Sequence, residues 1–196
     1  MKSHDNDTNP SFEELKDKYS VSSHSQAKIE LIEQVSKAHP VEGDSFLMEQ
    51  YKTEKDWKVR QAIIRTVGKG NLQECVPFFI ETLKDPSLKI KEAAIISLGN
   101  SKSAEALDPL MEMLHYGKTD FYESLISSLV KICKNVPLER VIEHLDSGGT
   151  YVKRAIPIIL GKIGDKSAEA TLKSLLEDKN SLVRMNSVLA LQRLID

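Results

Sequence analysis

The stretch "DPSLKIKEAAIISLG", Asp85 to Gly99, joins a turn-forming Asp-Pro to a lysine-flanked apolar segment and ends on glycine. Stepping 31 residues either way from its Ile90 lands on Val59, Phe121, Val152 and Val183. The same step from Leu98 lands on Val67, Leu129, Leu160 and Leu191. Two further columns share the period: Phe79, Leu110, Val141 and Leu172, and Leu83, Leu114, Leu145 and Leu176. Four apolar columns on one period mark an internal repeat, which decides the fold before any local structure is assigned.

Within a unit the first two columns lie eight residues apart, and Ala62, Ala93 and Ala155 follow the first by three. That is the stripe of an amphipathic helix. The other two columns, four apart, mark a second helix. Each unit is therefore a pair of antiparallel helices too thin to bury its own stripe, so neighbouring units must stack. The alanines let helices cross at the short end of the usual interaxial range of about 8–10 Å. The expected fold is all-α, a right-handed solenoid of stacked helix pairs. Inner helices, called B, are predicted near 57–68, 86–99, 119–134, 150–163 and 180–195. Their partners, called A, are predicted near 72–84, 103–116, 137–146 and 167–177. Asp85, Thr150 and Asp178 suit N-caps or turns, while Gly68, Gly99, Gly161 and Gly164 are placed at C-terminal turns. Pro157, inside a B helix, is expected to kink it.

Towards the amino terminus the register slips by one. "SQAKIELIEQVSKAH" and "SFLMEQY" read as a helix pair, a degenerate first repeat that caps the stack. Residues 1–20 are expected to be a polar, partly disordered segment, with "SFEELKDKY" as a short extra helix. Residues 21–196 form a single domain of about five to six repeats. At the other end Val188, Leu191, Leu194 and Ile195 have no polar capping repeat after them. Either a second copy covers that helix in a homodimer or it stands as an exposed rim.

The segments "YVKRAIPIILGKIGDKSAEATLKSLLEDKNSLVRMNSVLALQRL" (Tyr151–Leu194), "DPSLKIKEAAIISLG" and "DWKVRQAIIRTVGKG" resemble the HEAT-like repeat family, in its short bacterial and archaeal class related to phycobilin lyase subunits. The resemblance covers roughly residues 40–196 and is specific for fold, not for function. It implies that the B helices line a concave groove. It also implies that the recurring cation of each unit, Arg60, Lys91, Lys153 or Arg184, pairs with a turn aspartate, Asp56, Asp85 or Asp178, in an inter-repeat ladder. Read instead as a surface feature, the same column would be a basic strip for phosphates. The ladder is favoured because the cations recur at the period of the fold.

The remaining chemistry is sparse. With 27 Lys+Arg against 29 Asp+Glu the net charge is -2, which provides no global pull on a polyanion or an acidic membrane. Cys75 and Cys133 lie outside any metal or redox spacing. The five histidines include no His-Glu dipeptide and no pair at helix-face ligand spacing, so neither a metal nor a cofactor is expected. "DSGGTYVKR" (Asp146–Arg154) could offer backbone N–H groups to an anion but reads first as an A-to-B turn. "MKSHDNDTNP" lacks the apolar core of a signal peptide and no stretch approaches a membrane span, so a cytoplasmic location is expected.

Function is therefore sought where units differ from one another. Trp57, Arg65, Glu92, Tyr122, Glu123, Tyr151 and Arg154 break the repeat average with aromatic or charged side chains, the types that anchor protein interfaces. The leading expectation is a non-catalytic scaffold that binds a protein or peptide in the groove. A bilin lyase-type subunit is the alternative from the enzyme class. A HEAT-like nucleic-acid binder is the third reading, disfavoured by the balanced charge and by Glu92, Ile96 and Glu123 on the B helices.

Overall fold

The computed structural model describes residues 10–115 and 120–195. Expectations for residues 1–9, and for the helix edges at 116 and 119, lie outside the described residues. The described chain is helical throughout, with no strand among the described residues. The helices are α1 (Phe12–Val21), α2 (Ser25–Ala38), α3 (Pro40–Thr53), α4 (Trp57–Val67), α5 (Val76–Thr82), α6 (Leu88–Ser101) and α7 (Leu107–His115). They continue as α8 (Tyr122–Cys133), α9 (Leu138–Ile142), α10 (His144–Ser147), α11 (Thr150–Ile163), α12 (Glu169–Ser174) and α13 (Ser181–Ile195).

The B helices stack in the order α2, α4, α6, α8, α11, α13, and A-type helices pack beside them. The apolar columns form the core: Val59, Ile90, Leu98, Leu129, Val152 and Leu160 belong to one buried cluster, and Val183 is buried as well. The A helices are shorter than periodicity predicts. α9 is followed by a turn at Glu143 before α10, and α12 sits between two 3-10 turns, Lys166–Ala168 and Leu175–Glu177. α9 and α12 each bury a single apolar residue, Val141 and Leu172, so their ends tighten into turns instead of propagating.

Two glycines do something other than the turn expected of them. Gly99 lies inside α6, and a Cβ built there would meet Cβ of Ser128 at 2.5 Å and its Cα at 2.6 Å. Gly161 lies inside α11, with Cα and Cβ of Ala190 both 2.8 Å from such a carbon. Both are crossing points at which successive B helices touch backbone to backbone. Helix α6 runs on to Ser101 and stops at Lys102, in the left-handed region at φ 55°, whereas Gly164 (φ 77°) is the C-cap of α11. Val130 occupies the equivalent position in α8. Correspondingly, α6 with α8 and α11 with α13 are the most extensive helix pairs, and α8 with α11 is less so.

At the start of the chain, Ser11 and Glu14 form a reciprocal capping box on α1. Leu15 is fully buried and Tyr19 is 2 % exposed, both in the common core, and Tyr19 meets Phe46 edge-on at 5.6 Å. α1 thus packs on α2 as A helices pack on B helices, although no apolar column of the 31-residue register reaches it. Beneath it Lys28 reaches Glu54 at 2.6 Å, and Ser25 donates to Asp56. Burial alone would raise the Glu54 carboxyl, but the hydrogen bonds from Lys28 and the backbone of Asp56, with the charge of Lys28, outweigh it and hold the group below the usual carboxylate range.

At the far end α13 exposes Leu182, Met185, Val188, Leu189 and Ile195. Val188 stands in the column of Ile64, Ile95, Ile126 and Pro157, all buried, yet is 45 % exposed. The earlier members of that column are covered by the next unit. α11 runs through Pro157 without a break, and Asn186 of α13 donates to the Arg154 carbonyl at 2.9 Å in that turn.

Candidate functional site

Residues that a B helix keeps out of the stack line a face of shallow clefts between successive units. The cleft between α4 and α6, about 320 Å³, is bounded by Gln61, Arg65 and Lys69 on one side and by Lys89, Glu92, Ile96 and Asn100 on the other. Three repeats later the cleft between α11 and α13, about 200 Å³, is bounded by Ile158 and Lys162, and by Asn186, Leu189 and Arg193. The two clefts are built from the same repeat positions, so they lie on one continuous surface.

Of the side chains anticipated from the sequence, Arg65 and Glu92 line the first cleft, and the others line neither of the two. Trp57 is 37 % exposed at the start of α4, with the Lys89 ammonium 4.7 Å and that of Lys58 6.0 Å from its ring centre. Arg65 and Glu123 are exposed, while Glu92 is half-buried and accepts a hydrogen bond from Ser124 of α8 at 2.9 Å. Arg154 stacks on Tyr151 at 5.5 Å, and its Nε is buried with no hydrogen-bond partner among the described residues. Tyr122 lies within the field of Arg154 but is half-buried against the core, and burial raises its phenol. These residues gather into two groups, Trp57–Lys89 near the first cleft and Tyr122–Tyr151–Arg154 further along.

Among the described residues, one expected pair is present as an ion pair, Arg60 with Asp85 at 3.5 Å. Asp85 is a hub: it also accepts from the Tyr51 hydroxyl at 2.6 Å and the Ser87 N–H at 2.8 Å. Asp56 accepts from Ser25 and from the Lys58 N–H. Arg184 donates to the carbonyls of Asp178 and Lys179 in its own turn, and Asp178 itself accepts from the Asn180 N–H. Lys153 and Asp178 line one cleft without an ion pair, and Lys91 makes none among the described residues. Arginine's planar fork suits such a bridge better than lysine's hydrated point charge.

A second row of cations went unread in the sequence. Stepping by 31 from Lys69 gives Asn100, Lys131, Lys162 and Arg193, at the C-terminal end of successive B helices. All four cations are exposed and none is in an ion pair among the described residues; Lys131 donates to the neutral Asn100 at 2.8 Å. Together with Lys58, Arg65, Lys89 and Arg154 they outnumber the carboxylates of the face from α4 onward, which are Glu92, Asp120 and Glu123. The face is thus basic on a chain whose net charge is negative. The step that revealed the core would have revealed this row, had it been applied to polar positions.

Elsewhere the chemistry is quiet. Cys75 and Cys133 are buried, which pushes their thiols up to about 11 and about 12. No cluster of three metal-ligating side chains occurs among the described residues. In the "DSGG" turn the Gly149 N–H is taken by Nδ1 of His115 at 3.1 Å. No helix among the described residues is long and apolar enough to cross a membrane.

Comparison with solved structures finds the same architecture at low identity. The complex of CpcE and CpcF of phycocyanin lyase from Nostoc sp. PCC7120 matches with a TM-score of 0.57 at 18% identity, over 96% of this chain and 78% of that one. A designed armadillo repeat protein in complex with the peptide (KR)4 matches with a TM-score of 0.52 at 14% identity, over 94% of this chain and 100% of that one. Comparison with curated proteins returns no match. The family profile described as HEAT repeats matches residues 45–129 and 138–196. With the period, the stacked helix pairs and that match in agreement, the chain belongs to the HEAT repeat family.

Proposed function

We propose that the chain is a non-catalytic scaffold whose B-helix face forms a concave groove for a partner protein or peptide. The observation that carries the reading is the surface itself: exposed Ile96 and Leu189 line two equivalent clefts beside cations that have no ion pair among the described residues, and Trp57 is exposed at the start of α4. Apolar side chains flanked by charges favour a polypeptide, which offers both kinds of contact. The thiols of Cys75 and Cys133, buried and held high, are poorly suited to act as nucleophiles in a lyase-type reading. Solved neighbours described as complexes, one with a peptide and one of CpcE with CpcF, fit the same use of the fold.

Affinity capture from the native host's extract, followed by mass spectrometry, tests this. A partner should be retained by the parent chain and lost with Ile96→Asp combined with Leu189→Asp, two exposed positions that leave the core intact. Equal capture by both proteins would remove the groove from the proposal.

A further inference from the structure

The partner's chemistry follows from the sign and spacing of the charges, taking the groove reading as its basis. We propose that the B-helix face binds an extended acidic segment of a partner protein, with carboxylates set against Lys69, Lys131, Lys162 and Arg193, and one received by Arg154. These cations have no ion-pair partner among the described residues. Helix dipoles favour cations in the last turn and account for part of the row. They do not account for Lys58 and Lys89, which stand in the first turns of α4 and α6, where the dipole disfavours positive charge. A basic face on a chain of net charge -2 has a local partner in view.

The geometry selects an extended peptide. Successive B helices stack at about 8–10 Å, and a strand-like segment advances roughly 3.3 Å per residue. One repeat therefore spans two to three peptide residues, so an acid at every third position meets successive cations. Arg154 suits a central carboxylate, because Tyr151 already orders its guanidinium. A nucleic acid fits less well. Its unbroken row of phosphates would lie across Glu92 and Glu123, whereas a peptide can place neutral residues there, and Ile96 and Leu189 offer apolar contact between charges.

Fluorescence anisotropy with defined probes decides the matter. The probes are a peptide spanning four repeats with glutamate at every third position, the same peptide with lysine, the same with serine, and a thymidine oligonucleotide. The glutamate peptide should bind tightest, weaken as salt rises, and lose roughly a hundredfold in affinity to Lys69→Glu, Lys131→Glu, Lys162→Glu and Arg193→Glu combined. Should that protein fold poorly, the four glutamine substitutions and the salt titration of the parent report on the same charges. Serine or lysine peptides binding as well as the glutamate peptide would overturn the acidic partner while leaving the groove reading intact. Preference for the oligonucleotide would overturn it in favour of a polyanion, and binding of no probe would overturn it outright. Extract capture lost with Ile96→Asp and Leu189→Asp would then still uphold the groove.

Discussion

Gly99→Ala isolates the contact on which the stack depends. In an exposed helix interior the change should stabilise the protein by about 1 kcal/mol, because alanine has the higher helix propensity. Here the added methyl would sit 2.5 Å from Cβ and 2.6 Å from Cα of Ser128, a contact with backbone that no rotamer change can relieve. Overpacking of this kind costs about 1–3 kcal/mol, and backbone contact points to the upper end. Set against the propensity gain, the net loss is about 2 kcal/mol, which lowers Tm by about 4–8 °C for a chain of this size. Gly161→Ala, facing Cα and Cβ of Ala190 at 2.8 Å, should fall in the same direction. Ser127→Ala, at an exposed site on α8, serves as the control and should leave Tm level or slightly higher. Thermal melts by circular dichroism measure all three. A rise in Tm for Gly99→Ala would refute backbone-to-backbone crossing of α6 and α8.

Asp85→Ala should cost about 3 kcal/mol in urea unfolding, because it strands the Tyr51 hydroxyl, the Ser87 N–H and Arg60 together, whereas Asp178→Ala should cost about 1 kcal/mol; equal losses would deny Asp85 its hub role. Glu54 and Asp56 both lie below their ordinary 4.5 and 3.8, so their stabilisation is complete above those values and is lost as pH falls through the lowered ones. Asp44, raised mainly by burial, works in the opposite sense. Stability followed from about pH 6 to pH 3 should therefore decline less steeply in Glu54→Gln than in the parent, and parallel curves would count against the Lys28–Glu54 pair. If a second copy covers the exposed apolar face of α13, sedimentation velocity will show a concentration-dependent dimer that Val188→Glu abolishes; a monomer at every concentration would make that face an exposed rim, and a dimer indifferent to the substitution would place self-association elsewhere.

The repeat was legible because stacking forces the same apolar positions to recur: Ile90 and its column, and Leu98 and its column, fall in the core where the period puts them. What one period cannot encode is the approach distance between helices. Gly99 and Gly161 look like stops in a string of letters, since a glycine after an apolar run serves equally as a C-cap or as a crossing point. Only the position of Ser128 and Ala190 across the interface separates the two. α1 escaped the register because of the one-residue slip: Leu15 and Tyr19 stand 32 residues, not 31, before Leu47 and Tyr51, so a strict step of 31 misses them.

The candidate site was partly legible. Trp57, Arg65, Tyr151 and Arg154 stand out against the average of their columns, and they border the B-helix face. Tyr122 stands out for another reason, since it is half-buried packing, and Glu92 is tied to Ser124 across the stack. The row from Lys69 to Arg193 blends into its own average. Periodic charges on a solenoid are easily credited to the scaffold, and their lack of ion pairs among the described residues is visible only in three dimensions.

Site-directed photo-crosslinking in host extract tests the central claim most directly. A benzophenone side chain replaces Ile96 on the B-helix face, 44 % exposed, or Lys173 on α12, whose exposed ammonium pairs with Glu169. A partner that lines the groove should give a discrete crosslinked adduct from position 96 and none from position 173. An adduct from position 173 alone would place the partner on the A-helix side and contradict the account.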